Sequence, residues 1–570
     1  MAIYGFVKQG ETGMRKIHRW LVLFVLLLAM AVTAENVLFV PDPGPSGVWS
    51  VSLRTPGRKA AANIPVPIER IAGKRILLTA EIEQEDVSKK PNHWNGVKLM
   101  LVIGYADGET GYLQAENSAG SLPWTPHAVA VTVPADIRSA RIDLALEEVS
   151  GTARFRNVRI VEDIPDNYRG YRLTGATDRE NGEYRAGETM RFTFKLSRDG
   201  RPAAGFLRLA CAGDDGKSEV LYKQADADGT VRVERSLDRP GFVMVKASLL
   251  TPYGLPAQSG GRNIQYGLGG GVEPEALKQG TPEPADFDVY WKKQLEALAA
   301  IPPKLLEKKL IKENGRCFVY DVKISCVGKR PVSGYLSIPK GAGPKSLPLR
   351  VWYEGYGVSS APARENPAEI TFSVNAHGIE NGREPAYYKR LEQGELRNYG
   401  LRAAGNQKPE NSYFNNMILR DLRALEFAKS LPEWDGSTLY LAGGSQGAFQ
   451  VVAVAALSDG ITGCFIRVPW FCDLGGIALG RAESTFRPQP APGLAYFDAV
   501  NFAKRVKAPV EIEAGLSDWV CPPSGVRVLY NNLNSPAKLT MFQGLDHGGY
   551  PAYDQRTTPR AVYHKSSRRQ

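Results

Sequence analysis

The segment from Ser437 to Leu457 constrains this chain more than any other. Ser437-Thr-Leu-Tyr-Leu-Ala442 reads as a short buried strand, and Ala448-Phe-Gln-Val-Val-Ala-Val-Ala-Ala-Leu457 reads as an apolar helix. Between them lies Gly443-Gly-Ser-Gln-Gly447, a Gly-x-Ser-x-Gly. A strand, a sharp glycine-flanked turn and a helix are the context in which a serine hydroxyl is raised above a sheet edge. The helix then directs its N-terminal N–H groups toward charge developing near that hydroxyl. Ser445 is thus a candidate nucleophile.

A neutral serine needs a base. The chain has six histidines, and three lie in the region that carries this motif: His377, His547 and His564. His547 follows directly on the last predicted strand, Lys538–Phe542, where the base belongs. His377 precedes the serine, and His564 lies in a basic C-terminal stretch. The acid belongs between serine and histidine at a strand end. Pro509-Val-Glu-Ile-Glu-Ala514 is such a strand, and Gly515-Leu-Ser-Asp518 follows it. Asp518 is the candidate, with Asp546 read as a loop capper and Asp473 as a weaker alternative.

The surroundings read as several domains. Within 570 residues, 58 glycines and 39 prolines point to many turns, hence β-rich portions. Residues 35–165 carry apolar, β-branched runs separated by turn signals: Arg75–Ile82, Val97–Gly104, Ala128–Val133, Ala140–Leu146 and Ala153–Val161. That rhythm predicts a jelly-roll-like sandwich. Residues 166–255 alternate in the same way, clearest at Glu188–Leu196, and predict an immunoglobulin-like sandwich serving as a spacer. Residues 256–282, with Gly260-Gly261 and Gly267-Leu-Gly-Gly-Gly271, read as a linker. Residues 283–555 alternate short apolar runs with helical stretches, which predicts a mostly parallel sheet with helices on both faces. Residues 556–570 read as a frayed basic tail.

The N-terminus reads as an export signal over residues 1–34. Arg15, Lys16 and Arg19 precede an unbroken apolar run from Leu21 to Val32, and Val32-Thr33-Ala34 supplies the small residues for cleavage. The run is too short to favour a spanning helix, and Met14 is an alternative start. The expected location is secreted or periplasmic, with no membrane attachment after cleavage. The formal charge of +11 falls to +3 once the signal (+3) and the tail (+5) are set aside. That balance argues against nucleic acid as a partner. Six cysteines show no Cys-x-x-Cys spacing. Export permits disulfides, and Cys317 with Cys326 is the candidate pair.

Residues 283 to about 550 resemble the acetyl xylan esterase / cephalosporin C deacetylase family of α/β-hydrolases. The likeness is carried by Pro284-Ala-Asp-Phe-Asp-Val-Tyr-Trp291, Tyr413-Phe-Asn-Asn-Met417, Asp421-Leu-Arg-Ala424, Leu431-Pro-Glu-Trp-Asp435, the Gly443–Gly447 motif, Gly515-Leu-Ser-Asp-Trp-Val-Cys-Pro-Pro523 and Gly544-Leu-Asp-His-Gly548. The resemblance implies a serine esterase that removes acetyl groups from sugars, with no metal or cofactor. It also implies an oxyanion hole of two backbone N–H groups, at Tyr356 and Gln446. Many members carry His-Gly-Tyr where this chain has Glu354-Gly-Tyr356, so Glu354 is singled out for substrate contact, along with Trp470. Members often form rings of subunits, a packing that two added β-domains can block.

Residues 35–165 resemble jelly-roll carbohydrate-binding modules. Trp94, in Lys89-Lys-Pro-Asn-His-Trp-Asn-Gly-Val-Lys98, and Trp124 either stack on sugar rings or cap the sandwich core. Trp94 is the substrate-binding candidate there. Two other readings compete with the esterase: another acyl hydrolase or peptidase of the same fold, and a catalytically inactive glycan-binding surface protein.

Overall fold

A computed structural model describes residues 36–566 apart from 93, 118, 164–167 and 549–557. The export signal lies outside the described residues. The chain divides into two units, residues 1–171 with 249–264, and residues 172–248 with 265–570.

The first unit is built on two large antiparallel sheets, with a short two-stranded one at Gln258–Ser259 and Arg262–Asn263. One pairs Val37–Phe39 and Trp49–Leu53 with Gly151–Glu162, then Arg75–Val87 and Gly120–Thr132. The other runs Lys59–Pro65, Ser139–Glu147, Gly96–Gly104, Thr110–Gln114. Alternate residues of the central strands enter a common core, such as Leu99, Leu101 and Ile103 against Ile142, Leu144 and Leu146. That period of two is what the sequence displays.

The second unit contains a further β-module and a ten-stranded sheet. We number the strands of the large sheet β1 (Leu305–Glu313), β2 (Cys317–Ile324), β3 (Val332–Pro339), β4 (Leu347–Tyr353), β5 (Ile370–Val374), β6 (Trp434–Gly444), β7 (Gly463–Arg467), β8 (Val510–Gly515), β9 (Ala537–Phe542) and β10 (Arg560–Lys565). Their spatial order is β1-β2-β3-β5-β4-β6-β7-β8-β9-β10, parallel from β5 to β9 and antiparallel outside it. Helices α1 (Phe287–Ala299), α2 (Tyr413–Lys429), α3 (Gln446–Leu457), α4 (Ala499–Ala503) and α5 (Pro523–Asn532) bury Trp291, Ile418, Val451, Phe502 and Val528 in one core with Val351, Leu441, Ile466, Ile512 and Leu539 of the sheet. Each such side chain contributes about 1.5–3 kcal/mol through burial.

Helices on both faces were expected; the described residues show these five on one. The opposite face carries the row Trp352, Ala442, Phe465, Glu511, Lys538 and His564. Phe465 is 38% exposed there, and Glu511, Lys538 and His564 are exposed. The connection from β4 to β5 shows why. It contains Pro362 and Pro367 and runs as turns and coil, since proline interrupts helical hydrogen bonding.

Two more boundaries are corrected. The glycine run read as a linker is a buried strand, Gln265–Val272, paired antiparallel with Gly241–Leu250. Its glycines answer close approach: a Cβ on Gly269 would lie 2.0 Å from the Leu516 carbonyl, and one on Gly271 2.8 Å from the Phe242 ring. Within the stretch read as a basic tail, Arg560–Lys565 is the edge strand β10, and the Lys565 ammonium donates to the carbonyls of Tyr530, Asn531 and Leu533 at the end of α5.

Nor is the second β-module a spacer. Phe242 belongs to the core of the large sheet. The Gln543 side chain donates to the Gly269 carbonyl at 2.7 Å and accepts from its N–H at 2.9 Å. Asp214, buried, accepts from Phe242 N–H of its own module and from Ala482 N–H of the β7–α4 connection, both at 2.8 Å. The module is thereby fixed to the base of the turns that lead to Asp518 and His547.

The six cysteines are free. Cys317 opens β2 and Cys326 lies two residues beyond its end, so extended backbone holds them on the order of 25 Å apart, far outside disulfide reach.

Candidate active site

Strand β6 lies between β4 and β7, with Gly443 opposite Tyr353 and Ile466. At its end Ser445 takes φ 56° and ψ −119°, a conformation that costs a non-glycine residue on the order of 1–3 kcal/mol. The surroundings enforce it. Ser445 N–H donates to the Arg467 carbonyl at 2.9 Å. Its own carbonyl accepts from Ala448, Phe449 and Trp470 at 3.0, 3.2 and 3.2 Å. The flanking glycines are sterically required. A Cβ on Gly443 would lie 2.5 Å from the Gly447 backbone, and one on Gly447 would lie 2.1 Å from the Tyr353 carbonyl.

Asp518 sits in the turn after β8, fully buried. One carboxylate oxygen accepts from Val520 and Cys521 N–H, each at 2.8 Å. The other lies 3.1 Å from His547 Nδ1. His547, on the turn after β9, places Nε2 2.9 Å from Ser445 Oγ. A carboxylate accepts only, so Nδ1 carries the proton and Nε2 keeps its lone pair for the serine hydroxyl. The three residues picked from sequence therefore form one hydrogen-bonded line. Three parallel strands deliver them: β6 the serine, β8 the aspartate, β9 the histidine.

The alternatives are occupied elsewhere. Asp546 accepts from Gly548 N–H at 2.9 Å and caps its own loop. Asp473 takes Gly280 N–H at 2.6 Å and Thr281 N–H at 2.9 Å and pairs with Arg481. His564 pairs across the β9–β10 edge. His377 is buried against Tyr413 and Gly357. Cys521 Sγ, an Asp518 oxygen and a His547 nitrogen lie within 4.8 Å of one another, a donor set of metal-binding type. Two of its members are already bonded to each other as above, and burial pushes the Cys521 thiol well up.

Gln446, next to the serine, begins α3 and is fully buried. Tyr356 lies in the loop after β4. Its ring stacks on Tyr399 at 4.2 Å and meets Phe486 edge-on at 4.7 Å, and burial pushes its phenol up to about 12. The substrate-contact candidates stand differently. The Glu354 carboxylate is bound by the Arg364 guanidinium, which also reaches Ser373 and lies over the Trp352 ring. The Glu354 carbonyl accepts from Gln450 at 2.8 Å. Trp470 is 3% exposed and donates to the Phe486 carbonyl, so it supports the aromatic wall from within. Trp94 lies in the first unit, 50% exposed. Trp124 is covered by the Arg156 guanidinium at 4.3 Å.

Sequence reasoning did not reach Arg364 or Tyr399. Arg364 lies ten positions from its partner in a coil. Tyr399 lies in a turn between Asn398 at φ 53° and Gly400 at φ 69°, and no motif marks it.

Comparison with known proteins bears on residues 275–487 and 489–564, which match the acetyl xylan esterase (AXE1) family. Acetyl esterase Axe7A of Xylanibacter ruminicola is 28% identical over 320 residues, spanning 53% of this chain and 69% of that protein. Among solved structures, the acetyl xylan esterase from Paenibacillus sp. R4 is 24% identical, covering 49% of this chain and 94% of its own, with a TM-score of 0.41. Acetyl xylan esterase 1 from Thermoanaerobacterium sp. JW/SL YS485 is 21% identical over 49% and 94%, with a TM-score of 0.40. The family match takes in Ser445, Asp518 and His547 and covers just over half of the residues; the chain belongs to the acetyl xylan esterase family.

Proposed function

We propose that this protein is a secreted serine carboxylesterase that removes O-acetyl groups from carbohydrates such as acetylated xylan or xylo-oligosaccharides. The observation that carries the reading is the continuous line Ser445–His547–Asp518, with contacts of 2.9 and 3.1 Å. Ser445 Oγ attacks the acetyl carbonyl carbon while His547 Nε2 takes its proton. The carbonyl oxygen becomes an oxyanion between the N–H groups of Tyr356 and Gln446. His547 returns the proton to the departing sugar oxygen, which leaves as an alcohol and leaves acetyl on Ser445. Water, deprotonated by His547, repeats the attack and frees acetate. Asp518 holds the imidazole tautomer and stabilises its charged form. One oxyanion donor is worth about 100- to 1,000-fold in kcat.

The intact triad favours this reading over a catalytically inactive surface protein. The aromatic wall of Tyr356 and Phe486, backed from within by Trp470, supports a sugar leaving group, whose C–H faces pack on such rings. The test is acetate release across acetylated xylan, xylo-oligosaccharides, other acetylated glycans and simple acetyl esters, with peptide substrates as the contrast. Release from the xylan-derived members supports the assignment. Turnover of peptides alone would replace it with the peptidase reading.

For the first unit we propose glycan binding through Trp94. Its half-exposed ring and its absence from the buried core support this. In the full-length protein carrying Ser445→Ala, retention on insoluble xylan should fall at least threefold on adding Trp94→Ala. Unchanged retention would dismiss Trp94 as a contact.

A further inference from the structure

The two N–H groups assigned to the oxyanion belong to separate segments. Tyr356 is on the β4–β5 connection, and Gln446 opens α3. An oxyanion hole stabilises charge only while its donors keep one spacing, because preorganisation is the source of the effect. Backbone pairing fixes β4 beside β6 up to Tyr353 and Gly443, but Tyr356 lies three residues beyond the last paired position. Something else must hold it.

The Gln450 amide ties Glu354 to α3, two residues short of Tyr356; the Tyr399 side chain touches both segments next to the donors themselves. The Tyr399 hydroxyl lies 3.1 Å from Gly357 N and 3.1 Å from Gln446 Oε1. The donor roles follow from the atoms. Gly357 N–H can only donate, so the phenol oxygen accepts there and gives its own proton to the amide oxygen of Gln446. The Tyr399 ring stacks on Tyr356 with an interplanar angle of 10°. Tyr399 thus grips the donor-bearing loop by ring and by hydroxyl, and grips the residue that bears the other donor.

His377 holds the same glycine from the far side. Its Nε2 is 2.7 Å from the Gly357 carbonyl, and its Nδ1 is 2.6 Å from the Tyr413 hydroxyl at the start of α2. A carbonyl accepts only, so Nε2 carries the proton and Nδ1 accepts from Tyr413. The imidazole is neutral: burial lowers its pKa to about 4, and Arg420 and Arg330 push the same way. Both polar groups of Gly357 are therefore tied to side chains. This glycine has φ 150°, which a residue with a Cβ rarely adopts.

We propose that Tyr399 is a positioning residue that sets the spacing of the two oxyanion donors, with His377 bracing the same loop. The proposal rests on the serine-esterase reading, and it adds a group that does not touch the reacting atoms.

The deciding variant is Tyr399→Phe, which keeps the ring on Tyr356 and removes only the bridge. We expect kcat for an acetyl ester to fall about 10- to 100-fold, less than loss of a whole donor. KM should stay within about threefold and the melting temperature within a few degrees. Affinity for a trifluoromethyl ketone, which forms the oxyanion adduct, should fall in step with kcat. Between His377→Ala and His377→Gln, the glutamine amide can still donate to Gly357, so it should recover activity that alanine loses. An active wild type whose Tyr399→Phe variant matches it in kcat and ketone affinity overturns the clamp. So does a loss confined to KM or to melting temperature, or equal activity of the two His377 variants. A wild type that releases no acetate from any ester overturns the esterase reading instead.

Discussion

Replacing Ser445 with alanine should lower acetate release at least about 1,000-fold while leaving the fold intact. The magnitude follows from what is removed. The serine oxygen is the atom that becomes bonded to the acetyl group, and removing the nucleophile of a triad leaves only the rate that oxyanion and binding contacts supply to an attacking water. The fold should survive because the Ser445 hydroxyl is bonded to His547 at 2.9 Å and caps no helix. The turn is held by backbone, through Arg467, Ala448, Phe449 and Trp470. Alanine inherits the φ of 56° at a cost comparable to that of serine. Acetate release and a thermal melt on the same preparation check both halves. An alanine variant with wild-type turnover would remove Ser445 from the reaction. A variant that is inactive because it has unfolded would contradict the claim that backbone alone holds the elbow.

The triad was legible because each member combines a residue type with a strand end. Ser445 stands where a buried strand meets an apolar helix. His547 was reached by elimination among few histidines, and Asp518 by its place after β8. What was not legible depends on partners remote in sequence. A glycine run serves flexible linkers and tight interfaces equally, so Gly267–Gly271 does not announce that Leu516 and Phe242 press against it. In β10, positive charges mask the alternation of Ala561 and Tyr563 with exposed residues, and the strand's partner, β9, lies some twenty residues earlier. Helices on both faces were expected from fold-level alternation, whereas Pro362 and Pro367 in the sequence already disfavour one between β4 and β5. Glu354 was singled out because it stands where many family members carry His, and its pairing with Arg364 was not legible because the two are not neighbours in any periodic pattern. Trp470 was a candidate for substrate contact because sequence does not separate an aromatic facing solvent from one behind a wall.

Gly447 and Gly444, on either side of Ser445, carry a contrast that chance occurrence of the motif does not predict. Gly447→Ala should nearly abolish activity, and Gly444→Ala should change little. At Gly447 the new Cβ would meet the Tyr353 carbonyl oxygen at 2.1 Å and its carbon at 2.8 Å. Those atoms belong to β4, which is paired on one side with β5 and on the other with β6, so the strand has no room to retreat. Helix α3 must move instead, by about an ångström or more, carrying Gln446 N–H and the serine with it. Overpacking of this kind costs about 1–3 kcal/mol, and an ångström of misplacement at a reacting centre costs on the order of 100-fold in rate. At Gly444 the nearest atom to a new Cβ is the Arg467 carbonyl at 3.8 Å, an ordinary contact, so stability should shift by less than about 0.5 kcal/mol. Melting temperature and kcat on one acetyl ester measure both variants. If Gly447→Ala kept wild-type kcat, the close approach of α3 to β4 would not be what fixes the nucleophile, and the steric account of the elbow would have to be abandoned.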